Sequence, residues 1–311
     1  MSERRTGYGY AITAYAAWGV FPLYWRLMRP SSPMEILAQR IVWCVVLMLI
    51  VVAVGRTWRR LRESLRPRTL GLIAAASVAI AVNWGTYIYA VNTDRVVESS
   101  LGYFINPLVT VLLGVLVLRE RLSAGQWVAI GIATAAVAVL TVDYGHPPYF
   151  ALVLAFSFGL YGLIKNRLRV PAADGLTIEA GLLALPAAGY LVFLGMHGQA
   201  TLGHVSVGHT LLVVTSGAVT SGPLLLFAGA AKRLPLSAIG LMQYIAPILQ
   251  LAVGVLIIHE PMPPARLAGF GLVWVALAVF TVDGIRRARS ATRTKKVDPV
   301  PAGSVGGAST P

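Results

Sequence analysis

The sequence predicts an all-α integral membrane protein of ten transmembrane helices, arranged as two inverted five-helix repeats. Three observations support this. The 311 residues are 57% hydrophobic and only 12% charged, with a mean hydropathy of +0.72. Residues 103–143 align with 243–283 without a gap, and 13 of the 41 positions are identical. Loop 56–68 has six arginines, whereas its counterpart at 196–208 has no Lys or Arg.

The composition excludes most other fold classes. Soluble domains contain about 25% charged residues, and each membrane helix needs about 20 apolar residues. The apolar runs are continuous rather than alternating, which argues against barrel strands. A net charge of +14 could suit a nucleic-acid partner, but the basic residues lie in short loops, as the positive-inside rule expects. We therefore expect a lipid bilayer as partner and no nucleic acid.

Ten spans can be drawn along the chain. The first five belong to a repeat over residues 1–143 and the last five to a repeat over 144–289. The segment 290–311 is rich in Gly, Ser, Pro and Ala and is predicted to be a disordered cytoplasmic tail. The spans are 7–28, 34–54, 70–92, 97–118, 124–142, 149–165, 176–197, 209–229, 236–258 and 266–284.

Charge sets the orientation of these spans. Of the Lys and Arg residues, 21 fall on one side of the membrane and four on the other, with Arg40 inside span two. This bias places both termini in the cytoplasm. Five spans per repeat is an odd number, so the two halves have opposite orientations. Such inverted repeats are typical of secondary transporters, which bind their solute near the bilayer midplane.

Polar side chains inside the spans are the candidate site residues, because each is costly in lipid. Ser99, Tyr103 and Asn106 fall on one stripe of span four, just before Pro107. The proline frees a backbone carbonyl, so a helix break beside this stripe could line a cavity. Packing around a kink is the alternative. The full set of cavity candidates is Trp18, Asn83, Tyr87, Ser99, Tyr103, Asn106, Gln243, Tyr244 and Gln250, with helix breaks expected at Pro22, Pro107 and Pro247.

Ionisable residues in the spans could pair with one another or carry a proton. Glu35 and Arg40 lie in the outer part of span two but not on one face of it. Glu98 opens span four at the same level, so we expect Arg40 to pair with Glu98. Glu179 lies in the inner part of span seven and could carry a proton. For each glutamate, a solvated position at the membrane interface is the alternative.

Several signals of other chemistry are missing from the sequence. It has no Walker A motif, which argues against an ATP-driven domain, and no HExxH motif. The spacing of His197, His204 and His209 does not match a standard zinc site. Cys44 is the one cysteine and lies in an apolar run, so it cannot form an intrachain disulfide. We therefore expect no metal, no cofactor and no enzymatic activity.

Five motifs resemble the RarD proteins, a branch of the EamA transporters within the drug/metabolite transporter superfamily. These motifs occur in order from the first span to the ninth. The run in span four is the most specific of them. They are Trp18-Gly19-x-x-Pro22-x-Tyr24, Glu35-Ile36-Leu37-x-x-Arg40, Ala90-Val91-Asn92, Leu101-Gly102-Tyr103-Phe104-Ile105-Asn106-Pro107-Leu108 and Gln243-Tyr244-Ile245-x-Pro247.

The resemblance implies a multi-pass transporter of the bacterial inner membrane, built from two EamA repeats. Other members of the wider superfamily export amino acids, metabolites or drugs. We therefore expect a secondary transporter that moves a small metabolite, amino-acid-like solute or drug outward, by alternating access through a central cavity. Proton coupling is a hypothesis, and uncoupled facilitation is its rival. The alternative function is a non-transporting membrane scaffold, although a scaffold needs no internal pseudo-symmetry.

Overall fold

The computed structural model describes residues 3–65, 67–119, 122–168 and 170–297, which form helices joined by short connections. The helices are α1 (Glu3–Leu27), α2 (Pro33–Val54), α3 (Trp58–Ser64), α4 (Pro67–Asn92), α5 (Val96–Leu118), α6 (Ala124–Tyr144), α7 (Tyr149–Arg167), α8 (Ala172–Met196), α9 (Val207–Ala231), α10 (Leu236–Met242), α11 (Ile245–Ala252) and α12 (Pro264–Val297).

In the described part of the chain, nine helical stretches are long and apolar enough to cross a membrane. They coincide with the second to tenth predicted spans to within a few residues at each end. The first predicted span lies in α1, which has 25 residues but is not among the nine. Its Gly, Tyr and Arg residues make α1 less apolar than the others. The membrane-protein class is therefore clear, while the count of ten spans remains a prediction.

Span nine is divided rather than continuous. Helix α10 ends at Met242, α11 begins at Ile245, and Val253–Ile257 form a π-helical turn. The break lies two residues before Pro247, where the missing backbone donor and the fixed φ of proline suit a first helical turn.

The helix breaks expected at Pro22 and Pro107 are not formed, because α1 and α5 continue through them. Pro107 lacks the N–H that would reach the Tyr103 carbonyl one turn earlier in α5. Hydroxyl groups and neighbouring helices can satisfy backbone groups near a proline in a membrane helix. The helix can therefore tolerate the proline without unwinding.

The predicted disordered tail begins as helix, since α12 continues to Val297. Residues 290–297 contain one Ala, one Arg and two Lys, which favour helix. The remainder of the tail, and Glu120, Arg121 and Arg169, lie outside the described residues.

Helices α6 and α12 pack side by side and antiparallel. At one end, Arg266 Nε at the start of α12 donates to Asp143 Oδ2 at the end of α6, at 2.9 Å. At the other end, Ser123 Oγ before α6 donates to Asp283 Oδ2 late in α12, at 2.5 Å. The seam between them is filled by small and apolar side chains in the largest core cluster.

Two aligned glycines, Gly19 and Gly159, lie at close helix crossings. A Cβ on Gly19 of α1 would lie 2.5 Å from Leu249 Cβ of α11. A Cβ on Gly159 of α7 would lie 3.0 Å from Leu113 Cδ1 of α5. The 140-residue shift that aligns these glycines thus also relates the pairs of helices that they bring together.

The outward faces of the bundle are apolar. Val54, Val142, Leu185 and Met196 are each at least 80% exposed. Such a surface suits lipid contact rather than water.

Candidate functional site

The centre of the site is Arg40 of α2, which is 4% exposed. Its guanidinium carbon lies over two tryptophan rings, 4.1 Å from the Trp84 centroid and 5.0 Å from the Trp25 centroid. These rings come from α4 and α1, so that three helices meet at one cation.

Tyr87 of α4 and Tyr103 of α5 lie beside this cation. Their ring centroids are 5.7 Å apart in an edge-to-face arrangement. The Tyr103 hydroxyl approaches Asn83 Oδ1 at 3.4 Å, while Asn83 Nδ2 donates to the Leu154 carbonyl at 3.0 Å. The Tyr87 hydroxyl is buried and has no hydrogen-bond partner among the described residues. Two predicted cavity residues, Tyr87 and Tyr103, thus lie beside Arg40, and a third, Asn83, contacts Tyr103.

The predicted ion pair between Arg40 and Glu98 is not formed. In the described part of the chain Arg40 is in no ion pair, and its buried Nε has no hydrogen-bond partner. Glu98 instead accepts from the Phe150 backbone N–H at 3.0 Å and lies 3.7 Å from Arg95. The start of α5 therefore directs Glu98 toward α7 and away from α2.

The free-energy cost of burying the Arg40 charge is only partly offset in this arrangement. A guanidinium does not lose its proton in proteins, and burying an ion costs several kcal/mol even after relaxation. A desolvated cation–π contact returns about 2 kcal/mol. Two rings therefore offset only part of the cost, and they leave the N–H donor at Nε unused.

Glu35 lies one and a half turns before Arg40 and has a different role. It is 1% exposed, and its Oε1 accepts from the Thr201 N–H at 2.8 Å and the Thr201 hydroxyl at 2.9 Å. Beside it, Ser31 Oγ lies 3.0 Å from His209 Nε2, which is also 3.1 Å from the Met28 carbonyl. We call these contacts of Ser31, Glu35, Thr201 and His209 the outer contact. They join the α1–α2 region to the α8–α9 region, and the charge bias predicts that both connections lie on the outer side of the membrane.

A second buried carboxylate, Asp174, was missed by the sequence analysis. Its two oxygens accept from Arg60 Nε at 2.6 Å and Nη2 at 2.9 Å, which raises the pKa of Arg60. We call this pair the inner contact, because it joins α8 to the connection between α2 and α4 at the opposite end of the bundle. A carboxylate early in α8 and a six-arginine loop were the available signals, but 114 residues separate the two partners.

The third predicted glutamate, Glu179, is paired within the second half. It accepts from Lys165 Nζ at 2.7 Å and from the Tyr161 hydroxyl at 3.1 Å. Its charge is therefore compensated locally between α7 and α8.

Glu260, also missed, caps another helix. Its carboxylate accepts from the N–H groups of Val96 and Val97 at 2.6 and 2.8 Å, where α5 begins. Burial raises the pKa of Glu260, and these two hydrogen bonds act in the opposite direction. Glu260 and Glu98 also line a charged pocket of about 170 Å³ with Asp94, Arg95, His146 and Arg266.

The other predicted cavity residues are dispersed. Gln250 Nε2 donates to the Trp18 carbonyl at 3.0 Å, which joins α11 to α1. Tyr244 lies in a separate apolar groove of about 580 Å³ between α12 and the α10–α11 segment. The Ser99 hydroxyl donates a hydrogen bond to the Val96 carbonyl at 2.8 Å. Asn106 Oδ1 is buried without a partner among the described residues, and Gln243 lies at the end of α10.

The sequence of this chain is similar to those of other membrane proteins along nearly its full length. The EamA-like transporter family model matches residues 5–142. Protein RarD of Streptomyces exfoliatus is 52% identical over 289 residues, which cover 93% of this chain and 92% of that protein. The chain belongs to the RarD branch of the EamA family. It is therefore a membrane transporter by family, and its relatives carry no enzyme name.

More distant RarD relatives agree with this assignment. The uncharacterized transporter YojE of Bacillus subtilis is 44% identical over 93% of this chain and 98% of its own length. The chloramphenicol-sensitive protein RarD of Pseudomonas aeruginosa is 27% identical over 91% of this chain and 96% of its own. A crystal structure that is 20% identical shares the fold, with a TM-score of 0.58 over 92% of this chain and 98% of its own.

Proposed function

We propose that this RarD-type protein is a secondary transporter that works by alternating access between two inverted five-helix halves, 1–143 and 144–289. It would lie in the bacterial inner membrane with both termini in the cytoplasm, as the charge bias favours. Its solute would be a small metabolite, amino-acid-like compound or drug, and the proposed direction is outward by analogy with the wider superfamily.

The inverted arrangement is supported by contacts between the halves. The antiparallel packing of α6 on α12 places the fifth helix of one half against the fifth of the other. The Gly19 crossing of α1 with α11 has its counterpart in the Gly159 crossing of α7 with α5. Two modules related in this way, with opposite loop charge, form a transporter architecture.

The observation that carries the proposal is the equivalence of the outer and inner contacts. Glu35 is the third residue of α2, and it contacts Thr201 in the connection between α8 and α9. Asp174 is the third residue of α8, and it contacts Arg60 in the connection between α2 and α4. Each contact therefore joins one half to the other, at opposite ends of the bundle.

Such a pair of contacts suits a two-sided gate. Breaking the outer contact would separate the two halves at one end, and breaking the inner contact would separate them at the other. Arg40 and its aromatic neighbours lie between the two. A solute held there would be exposed to one side at a time, provided that the contacts break alternately.

Cross-linking the outer contact tests this proposal. The variant carries Ser31→Cys and Thr201→Cys in a Cys44→Ser background, since the Ser31 and Thr201 side-chain oxygens are 2.5 Å apart. Cells with the reduced or oxidised variant are compared by untargeted mass spectrometry of medium and cytosol. We expect a compound that is exported by the reduced protein, retained after oxidation and exported again after reduction.

The matched control carries Ser123→Cys and Asp283→Cys in the same background, because these oxygens are also 2.5 Å apart but join α6 to α12. Oxidation there should leave export unchanged, since these helices stay packed. Export that persists through an oxidised outer contact would contradict alternating access. A protein that moves no compound under any of these conditions would favour the scaffold alternative.

A further inference from the structure

We propose that Arg40 is the receptor for a carboxylate group of the solute, and that the solute class is monocarboxylates with an apolar or aromatic body. This inference rests on the proposed transport function and specifies its substrate. The structure surrounds this buried cation with aromatic side chains from α1, α4 and α5.

The unsatisfied state of Arg40 carries the argument. Its side chain is 4% exposed, its Nε has no partner, and the described residues supply it with no carboxylate. The other carboxylates near the bundle interior are already engaged: Glu35 by Thr201, Asp174 by Arg60 and Glu179 by Lys165. A buried guanidinium without an internal counter-ion favours an anion that arrives with the ligand.

The surroundings of Arg40 determine the kind of anion. The guanidinium presents a planar fork of N–H donors that matches the two oxygens of a carboxylate. Trp25 and Trp84 contact the cation through their rings, and rings offer apolar surface to the body of a ligand. Tyr87 adds a buried hydroxyl with no partner among the described residues.

The solute should carry one negative charge near Arg40. One guanidinium balances one carboxylate, whereas a second carboxylate would be buried without a partner. The solute can reach Arg40 only when the helices around it move apart, because the side chain is buried in this structure. Binding should therefore compete with the closed packing of Trp25 and Trp84 on the cation.

The test uses four six-carbon probes that differ in their terminal groups and hence in charge: hexanoate, hexanamide, hexylamine and the dicarboxylate adipate. Purified protein in lipid nanodiscs is titrated with each, and intrinsic tryptophan fluorescence is recorded, since Trp25 and Trp84 contact Arg40. Hexanoate should bind roughly tenfold more tightly than hexanamide, because hydrogen bonds between charged groups are stronger than neutral ones. Adipate and hexylamine should bind more weakly than hexanoate.

Substitutions at Arg40 test whether this residue causes the preference for hexanoate. Arg40→Gln should remove the preference for hexanoate over hexanamide, and Arg40→Lys should keep part of it. Arg59→Gln, on a side chain that is 95% exposed in the connection after α2, is the matched control and should behave as wild type. If Arg40→Gln does not fold, the reduced preference expected of Arg40→Lys, measured against Arg59→Gln, takes its place.

The outcomes separate this inference from the proposed function. Hexanoate binding that is equal to or weaker than hexanamide binding, or absent, overturns the assignment of Arg40, even if the cross-linking experiment shows transport. Preferential hexanoate binding by a protein that moves no compound supports the receptor and refutes the transporter. A preference for hexanoate that survives in Arg40→Gln places the anion receptor elsewhere and overturns the proposal.

Discussion

The guanidinium of Arg40 lies over the ring of Trp84, with 4.1 Å between the guanidinium carbon and the ring centroid. If this contact compensates a buried cation, the ring type should matter more than side-chain volume. We expect Trp84→Leu to lower the free energy of unfolding by about 2 kcal/mol more than Trp84→Phe, which keeps an aromatic face. Thermal unfolding of the purified variants in detergent measures this difference. Equal losses would show that packing alone explains the contact.

The inner contact between Arg60 and Asp174 should give a measurable coupling energy. The Asp174 side chain is 1% exposed and that of Arg60 is 50% exposed, so removing Arg60 leaves a buried charge without its partner. We expect Arg60→Ala to destabilise the protein by about 1–3 kcal/mol, and less so in an Asp174→Ala background. A double-mutant cycle on thermal unfolding isolates the coupling energy between Arg60 and Asp174. Additive effects would mean that the two residues do not interact.

A tight helix crossing at Gly217 predicts a sharp contrast within α9. A Cβ there would lie 2.3 Å from the Trp43 carbonyl oxygen of α2, whereas a Cβ on Gly222 has open space. Gly217→Ala should therefore cost about 1–3 kcal/mol or more through overpacking. Gly222→Ala should be neutral or slightly stabilising, because alanine favours helix. Size-exclusion profiles and melting temperatures of the two variants make the comparison.

Proton coupling can be tested at Glu35, the predicted carboxylate that joins the two halves. Loss of its negative charge would weaken its acceptance from the Thr201 N–H and hydroxyl, which join the two halves at the outer contact. Glu35→Gln keeps the shape of the side chain and removes its negative charge. We expect the pH dependence of transport to be lost in Glu35→Gln and retained in Glu179→Gln, whose residue lies beside Lys165. Unchanged pH dependence in Glu35→Gln would favour uncoupled facilitation.

Much of the fold was predictable from the sequence, because continuous apolar runs and loop charge are local signals. The helices α2, α4 to α7, α9 and α12 contain the spans predicted for them, and α8 ends one residue before its predicted end. The break expected at Pro107 did not form, because a proline removes one backbone donor and need not end a membrane helix whose surroundings can supply partners.

The site was predicted less completely, for a physical reason. Arg40 was identified as costly, but its partners depend on how α1, α2 and α4 rotate against one another. A cation in lipid suggests an anion as partner, so Glu98 was the natural choice over Trp25 and Trp84. The Asp174–Arg60 pair spans 114 residues, and no periodicity in the sequence links positions so far apart.

Opposite motion at the two ends of the bundle is the central claim, and paired distance measurements test it most directly. One spin-label pair replaces the exposed residues Met34 and Val207 near the outer contact, and another replaces the exposed residues Arg59 and Asn166 near the inner contact. Pulsed electron resonance on the protein in nanodiscs then gives both distance distributions. The account predicts that conditions which lengthen one distance shorten the other, and that the Ser31–Thr201 disulfide removes the long outer population. Single distributions at both ends that do not change with pH, solute or the disulfide would contradict it.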